Sequence, residues 1–320
     1  MPSARNKSSG TRAQQGAATP LMEALQRLSE ARPESLSADG LRQCREALSS
    51  DAANAQALAA SIIAAYANTG DSERATLALQ HGDMIEVLAA LVCIPALAKF
   101  VRTSALVTYV AAALAALVRT RAQAVHAMSC GALESLAACL AQPEFSGSAC
   151  DAATAISRLL APFAPSHING CPDFDLSSEV HRIAWAEANE LPLSMSDGEW
   201  STNAVAGAAR VLRAGPADAP AVASVLRMLT LATLISEPLR QVLGSSDCVA
   251  ELERLFRESR PGCDAALLLA PSVLLSVLAM EELLPEKAQA DFTERYEEYK
   301  RGYIANLEGV PNFSFTTKTN

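Results

Sequence analysis

The chain has few aromatic residues and little of what β-strands depend on. Only 5% of its 320 residues are aromatic, although half are apolar. Strand-rich domains use Val, Ile, Thr and aromatic side chains, whereas the apolar residues here are largely Ala and Leu, the strongest helix formers. Runs such as VAAALAALV also allow helix axes to approach closely. We therefore predict an all-α protein.

There is no excess of basic residues and no long hydrophobic run. The net charge is −9, whereas a surface that binds nucleic acid is rich in Lys and Arg. The longest uncharged apolar stretches, residues 103–118 and 265–280, have 16 residues each, and a membrane-spanning helix needs about 20. We expect neither nucleic acid among the partners nor insertion into a membrane.

Residues 1–20 have no apolar core, so we expect no secretory signal peptide. They contain Arg5, Lys7 and Arg12 but no acidic residue, and they are rich in Ser, Gly, Ala and Gln. This composition predicts a disordered basic tail, with a mitochondrial presequence as the alternative. We expect a cytoplasmic protein, with the cilium and the cytoskeleton included in that expectation.

Motifs for catalysis and for metal binding are also missing. No CxxC, GxGxxG, GxxxxGK[ST] or GxSxG pattern occurs. A ligand set made of Cys150, His167 and Cys171 matches no common zinc spacing. We therefore predict a protein that is not an enzyme and needs no cofactor, and we interpret most of its eight cysteines as buried free thiols.

Internal repetition is the strongest signal in the sequence. Five nine-residue segments align without gaps, at residues 59–67, 110–118, 152–160, 222–230 and 271–279. Their starts are separated by 51, 42, 70 and 49 residues. The fifth and eighth positions hold larger apolar residues, which are neighbours on one face of a helix. Each segment is therefore predicted to be a helix that buries one stripe.

A second element recurs between these segments. Residues 74–91 and 123–140 each run a short helix into a glycine, Gly82 or Gly131, and then begin an apolar-periodic helix. Residues 238–256 repeat the plan with Asp247 in the glycine's place. Glycine ends a helix by adopting the left-handed conformation that other residues resist. We predict a sharp turn between two helices in each unit.

A short helix, a turn, a second helix and a third packed helix, repeated at this spacing, resemble the armadillo repeat. The resemblance covers about residues 40–284 and is strongest over residues 74–160. It implies a right-handed α-solenoid of about five three-helix units, whose third helices line a concave groove that binds protein segments.

Residues 47–79 leave a second interpretation open. Tyr66, Gly70 and Ala75 also resemble a tetratricopeptide hairpin, although the period of that family does not recur. Both families are α-solenoids, so the functional class is the same. The repeat array, residues 21–284, is interrupted once by a proline-rich segment at 161–178, which we predict to be a loop.

In nuclear-import adaptors of the armadillo family, Trp at the third aligned position and Asn at the seventh hold a basic peptide. None of the five segments has this pair. Residues 183–191 do, with Trp185 and Asn189, but Glu187 then falls at a buried position, which is unfavourable. We interpret Trp185 as a core aromatic residue, and Trp200 as part of a helix start.

Four residues in or just after the third helices have side chains long enough to contact a partner. They are Arg119, Arg158, Arg227 and Met228. We predict that they line the partner-binding surface. The alternative is that the arginines are solvated on an exposed helix face.

The C-terminal segment differs in composition from the repeats. Phe292, Tyr296, Tyr299 and Tyr303 are spaced four, three and four residues apart and form one stripe on a predicted helix at residues 285–308, before a tail at 309–320. One interpretation is a helix that caps the last repeat. The other is a surface on which Phe and Tyr anchor a partner.

These observations predict a scaffold or adaptor that binds a peptide or helix of another protein on its solenoid surface. The alternative is a structural subunit of a large ciliary, cytoskeletal or organellar assembly. Small residues at the groove positions favour that alternative, because Ala and Ser accept close packing but offer a peptide little to hold.

Overall fold

The computed structural model describes residues 10–69, 83–93, 104–163, 199–215 and 219–258, together with single positions between 274 and 290. In this part of the chain the backbone forms α-helices and short 3-10 turns and no strand. The all-α prediction is confirmed.

Twelve α-helices lie within the described residues. They are α1 Gly10–Glu30, α2 Ala38–Leu48, α3 Ala53–Ala67, α4 Met84–Cys93, α5 Ser104–Leu117, α6 Arg121–Ser129, α7 Ala132–Ala141, α8 Ala149–Leu160, α9 Glu199–Ala214, α10 Ala219–Ile235, α11 Glu237–Gly244 and α12 Cys248–Glu258. Short 3-10 turns occupy Pro33–Ser35, Pro143–Ser148 and Ala161–Phe163.

The helices α3, α5, α8 and α10 stack side by side as one ladder. They contain the first four of the repeated segments, and Leu274, Leu275 and Leu278 of the fifth segment are helical and buried. The residues at the fifth and eighth aligned positions are buried in all five segments: Ile63, Tyr66, Leu114, Leu117, Ile156, Leu159, Leu226, Leu229, Leu275 and Leu278. The predicted stripe is therefore the core-facing side of each third helix.

A second ladder runs behind the first. The helices α4, α7, α9 and α12 each pack against the next along the chain, and short helices such as α6 and α11 pack beside them. Trp200, which is 1% exposed, lies at the start of α9 and is a core residue. The two ladders share one continuous hydrophobic core, because each helix buries its apolar face against both layers.

The turn between α6 and α7 is the predicted glycine turn. Gly131 has φ 78° and ψ 18°, in the left-handed region, and the two helices are bent by 69° at this point. Upstream, Thr120 and Gln123 form a capping box that begins α6. Gly82 lies outside the described residues. Between α11 and α12 the chain turns through Ser245–Asp247 without a left-handed residue.

The helix α1 begins at Gly10, inside the segment predicted to be a disordered tail. Residues 10–19 include three Ala, two Gln and one Arg, which are good helix formers. The helix continues past Pro20 to a face that packs on the first repeat, with Leu25 fully buried. This contact with α2 and α3 provides the tertiary packing that composition alone does not show.

Other boundaries predicted from the sequence fall partly beyond the described residues. In the interruption at 161–178, Ala161–Phe163 form a 3-10 turn that follows α8 directly, and the rest is not described. Of the segment 285–308, Glu286, Ala288 and Ala290 are helical, and residues 291–320 lie outside the described part. No single described helix is long and apolar enough to cross a membrane, and α6 with α7 meets that test only as a bent pair.

Arginine side chains join successive helices of the second ladder. Arg210 of α9 donates a hydrogen bond to the carbonyl oxygen of Leu140 near the end of α7 (2.8 Å), and Arg254 of α12 donates in the same way to Leu212 of α9 (2.8 Å). The last carbonyls of a helix have no partner within it. Each arginine therefore satisfies a carbonyl of the preceding unit with a charged donor.

A carboxylate strengthens the second of these junctions. Glu251 of α12 contacts Arg254 at 3.0 Å and Arg213 of α9 at 3.3 Å, while its own side chain is largely shielded from solvent. The same group thus orients the arginine that reaches Leu212 and also holds α9 directly.

Gly207 allows α9 to approach α7 closely. A Cβ atom at this position would lie 2.6 Å from the carbonyl oxygen of Leu140 and 2.7 Å from its carbonyl carbon. These are backbone atoms at the end of a packed helix, so they cannot move aside as a flexible side chain can. The same carbonyl accepts the hydrogen bond from Arg210.

We expect Gly207→Ala to lower the free energy of unfolding by about 1–3 kcal/mol, the usual effect of overpacking. In an unconstrained helix the same change is stabilising by about 1 kcal/mol, so the sign of the change in the free energy of unfolding shows whether α9 and α7 approach this closely. Urea unfolding followed by circular dichroism measures it. The matched control is Ala206→Ser, which adds one atom on the exposed side of the same turn. A more stable Gly207→Ala variant would contradict the close approach.

None of the five cysteines with described side chains forms a disulfide, and three of them, Cys44, Cys139 and Cys248, are buried. Burial raises the pKa of Cys44 to about 12. Burial and the nearby charge of Glu251 raise the pKa of Cys248 to about 12. The thiolate, which is the reactive form, is therefore suppressed at both positions.

We expect a maleimide at about pH 8 to leave Cys44 and Cys248 unmodified in the folded protein, because neither thiol is accessible or ionised. Half-buried Cys130 and Cys150 should react before Cys44 and Cys248 do. Peptide mapping by mass spectrometry, with urea-unfolded protein as the control in which every thiol reacts, measures this order. Labelling of Cys44 as fast as Cys130 would show that the core around α2 is open.

Candidate functional site

The candidate site is the side of the first ladder that faces away from the core, here called the third-helix face. We define it by exposed or half-buried residues of α3, α5, α8 and α10: Ser61, Ala65, Tyr109, Ala112, Thr154, Arg158, Ser224 and Arg227. The face exists because each third helix buries its fifth and eighth aligned positions and presents the opposite side outward.

Two contacts agree with the repeat alignment, one between α8 and α10 and one between α3 and α5. Thr154 of α8 donates a hydrogen bond to the Ser224 hydroxyl of α10 at 3.2 Å, and Cys150 Sγ lies 3.4 Å from the same oxygen. At the other end of the ladder, Arg119 donates a hydrogen bond to the carbonyl oxygen of Ala67 at 2.6 Å, so the C-terminal ends of α3 and α5 meet. Residues at the same aligned position therefore lie at about the same height along neighbouring helices, here called a level.

The third-helix face carries very little charge. The four helices that form it contain three charged residues, Asp151, Arg158 and Arg227, and the helices α3 and α5 contain none. The whole chain carries a net charge of −9. The acidic residues are thus concentrated elsewhere, and this face is nearly neutral.

Tyr109 is the only large hydrophobic residue of the described chain that is exposed, at 40%. It lies on α5, one turn before Ala112 on the same face. The repeat alignment missed it because the aligned segment begins one residue later, at Val110. The signal that would have found it is the three-residue spacing to the small groove position at Ala112.

Asp151 lies at the level of Tyr109 on the neighbouring helix of the ladder and is half-buried. Desolvation by burial raises the pKa of its carboxyl group, although a backbone hydrogen bond opposes the shift. The ionised carboxylate is therefore less favourable at this position than it is in water. It was not among the residues selected from the sequence.

Arg158 and Arg227 lie on the third-helix face, which both the predicted partner contact and the alternative of solvated arginines require, so their role stays a prediction. Both side chains are exposed, and neither forms a hydrogen bond or an ion pair with another described residue. Arg119 has a different environment. Besides its bond to Ala67, its guanidinium donates to the carbonyl oxygen of Ala116, so it ties together the ends of two helices.

The prediction that Met228 contacts a partner is corrected, because its side chain is 0% exposed. On α8 the seventh aligned position, Arg158, points outward, but on α10 the outward position is Arg227, one residue earlier. One residue corresponds to about 100° of rotation. The adjacent side chains of Arg227 and Met228 therefore point in different directions, with the thioether in the core and the guanidinium in solvent, which is the favourable distribution.

The other predicted contacts cannot be placed. Phe292, Tyr296, Tyr299 and Tyr303 lie outside the described residues, as do Trp185 and Asn189. Within the described part of the chain, no group of three His, Cys, Asp or Glu side chains is arranged to hold a metal ion. What the third-helix face offers is a nearly neutral surface with one aromatic ring and two free guanidinium groups.

Comparisons with known proteins identify the architecture. No model of a protein family matches the sequence, and no curated protein matches it. Among solved structures, a designed armadillo repeat protein in complex with the peptide (KR)4 covers 85% of this chain and 95% of its own, at 15% identity and a TM-score of 0.51.

The chain has the fold of an armadillo-repeat solenoid. A second designed armadillo repeat protein matches with a TM-score of 0.52 and 17% identity, and covers 85% of this chain and 96% of its own. An engineered protein from the Northeast Structural Genomics Consortium matches with a TM-score of 0.53 and 18% identity, over 86% and 94%. The armadillo resemblance predicted from the repeats is confirmed for the fold.

In this armadillo-like solenoid the Trp–Asn pair is absent from the four aligned segments whose side chains are described. The third and seventh positions are held instead by small residues such as Ser61, Ala65 and Ala112, and by Thr154 with Arg158. Small side chains leave the helix backbones close to whatever covers the face.

We expect Asp151 to titrate above its unfolded value, because its pKa is raised in the folded state. A raised folded pKa means that the native protein binds the proton more tightly, so this group favours folding at low pH and loses that contribution as pH rises through the folded pKa. The stability of Asp151→Asn relative to the natural protein should therefore increase from about pH 3 to pH 6.

Urea unfolding of both proteins across this pH range measures the difference. The carboxyl titration followed by NMR reports the same group directly. A difference that stays constant with pH, or a carboxyl that titrates below its unfolded value, would contradict the desolvation of Asp151.

Proposed function

We propose that this armadillo-like solenoid is a non-enzymatic scaffold or adaptor that binds a segment of another protein on its third-helix face. The observation that carries the proposal is Tyr109, an exposed aromatic side chain on the half of the face whose helices, α3 and α5, contain no charged residue. Aromatic residues are enriched among the side chains that contribute most to protein–protein binding, and charged residues are depleted at the centre of interfaces.

The small side chains around Tyr109 support the same function. Ala112 lies one turn after it on α5 and Ala65 lies farther along on α3, and both leave room for a backbone to approach. Ser61 and Thr154 are half-buried, and their hydroxyl oxygens can accept hydrogen bonds from such a backbone. A partner segment would then lose little solvation of charged groups and gain contact with the ring.

One of the structurally similar proteins supports peptide binding by a solenoid of this fold. The designed armadillo repeat protein in the comparison was solved in complex with the peptide (KR)4. The face described here holds two arginines and one half-buried carboxylate, so a strongly basic peptide is not the complementary partner.

The second candidate function is that of a structural subunit of a large ciliary, cytoskeletal or organellar assembly. The small residues at Ala65 and Ala112 favour it, because they accept a permanently packed neighbour as readily as a peptide. We propose a cytoplasmic location for either function. The aromatic stripe of Phe292, Tyr296, Tyr299 and Tyr303 stays a prediction, either as a cap or as a further docking element.

Photo-crosslinking in the native cell tests the proposal. A benzophenone amino acid placed at position 109 should capture a small set of proteins, whereas the same probe at Ala122, exposed on α6, should not. Adding Ala65→Glu to the position-109 probe should abolish capture, because a charge would be buried without a partner. Ala122→Glu is the matched control substitution.

The outcome separates the two candidates. A short list of proteins that exchange on and off the chain supports an adaptor. Capture of several subunits of one stable assembly supports the structural role. Equal capture from positions 109 and 122, unchanged by Ala65→Glu, would show that the third-helix face is not the binding surface.

A further inference from the structure

The third-helix face is uneven along the ladder. The helices α3 and α5 contain no charged residue, and the exposed ring of Tyr109 belongs to this half. Both exposed cations, Arg158 and Arg227, belong to α8 and α10. One half therefore has an aromatic anchor and no charge except Arg119, whose guanidinium is bound to carbonyl oxygens at the ends of α3 and α5, and the other half has two exposed cations.

The two arginines lie at the same level on neighbouring helices. Thr154 and Ser224 are in contact, which sets the register of α8 and α10. Arg158 is four residues beyond Thr154 and Arg227 is three beyond Ser224, which correspond to about 6 and 4.5 Å along the helix axes. Their side chains leave the surface about one helix spacing apart, roughly 8–10 Å.

No carboxylate of the described chain neutralises this pair. Asp151 is seven residues before Arg158 on the same helix, a separation of about 10 Å along the axis, and it is half-buried. Neither arginine forms an ion pair with another described residue. Two neighbouring free cations, on a chain whose net charge is −9, are a local reversal of sign.

We propose that the partner is an acidic peptide segment with an apolar anchor: one aromatic or aliphatic side chain packs on Tyr109, and two Asp or Glu side chains pair with Arg158 and Arg227. The inference rests on the proposed function, because it names the chemistry of the segment that the third-helix face would bind. Guanidinium groups pair well with carboxylates through two parallel hydrogen bonds.

The helix geometry sets the spacing within the segment. In the repeat alignment Tyr109 corresponds to Asp151 of α8, the helix that packs beside α5, so Arg158 lies one helix spacing across the ladder and seven residues along the axis, a separation of roughly 14 Å. Arg227 is two spacings across and about six residues along, roughly 20 Å. An extended chain covers about 3.3 Å per residue. The acidic residues should therefore lie about four and about six residues from the apolar anchor.

Selection from a random peptide display library tests this inference on the full chain. Peptides of about twelve residues are long enough to span the three contacts. We expect enrichment of sequences with one apolar residue and two acidic residues at the stated spacing, in one chain direction. Their affinity should fall as salt is raised, because exposed ion pairs are screened.

Substitutions in the protein test separately the acidic residues and the apolar anchor of the selected peptides. Arg158→Glu with Arg227→Glu should weaken a selected acidic peptide about tenfold or more and reverse the salt dependence of binding, because salt then screens a repulsion. Tyr109→Ser should weaken peptides with and without acidic residues alike. Arg45→Glu, an exposed residue on α2, is the matched charge control and should have no effect. Circular dichroism checks that each variant is folded.

The results distinguish the inference from the function beneath it. Selected peptides that depend on Tyr109 but show no preference for acidic residues would overturn the inference and leave the proposed function standing. Enrichment of basic peptides would do the same. A selection whose peptides are unaffected by both Tyr109→Ser and Ala65→Glu would overturn the proposed function and the inference with it.

Discussion

Close parallel stacking of helices with small side chains is the constraint on which the rest of this structure depends. Gly207 has no room for even one more carbon atom against the end of α7. In the other ladder, Ala60, Ala111 and Ala153 are fully buried at matching positions of successive third helices. Because the helices approach so closely, each unit buries its apolar stripe against its neighbours instead of within itself. An elongated two-ladder core is the result.

Such stacking leaves the carbonyls at the helix ends without partners inside their own helices. Arg119, Arg210 and Arg254 each reach back to the end of the preceding helix in their ladder and donate a hydrogen bond there. A guanidinium group suits this role because it remains charged and carries several donors in a fixed geometry. The arginines that look alike in the sequence thus divide into those that join units and those, Arg158 and Arg227, that remain exposed.

The division has a consequence for function. A chain with an excess of acidic residues keeps one face nearly neutral, and the only exposed aromatic ring among the described residues lies on that face. Most residues of α3 and α5 are buried, and burial accounts for the absence of charge there, but the exposed positions Ala65 and Tyr109 are uncharged as well. A partner that covers them is the physical reason we infer for the pattern.

The sequence by itself determined the helical class, the repeat, the buried stripe at the fifth and eighth aligned positions, the glycine turn at Gly131 and the helix start at Trp200. These features are local or periodic, and they follow from propensity, from the rotation of 100° per residue and from the left-handed conformation of glycine. They require no knowledge of which helix lies beside which.

Only the tertiary structure decided what individual side chains do. Which of the adjacent positions 227 and 228 is exposed, so that Met228 is buried and Arg227 lies in solvent, depends on how α10 packs on its neighbours. The role of Arg119 depends on a carbonyl 52 residues away in the chain. Helical periodicity specifies which positions share a face, but the angle at which the face meets its neighbours is set by contacts between units, and a single repeat does not contain them.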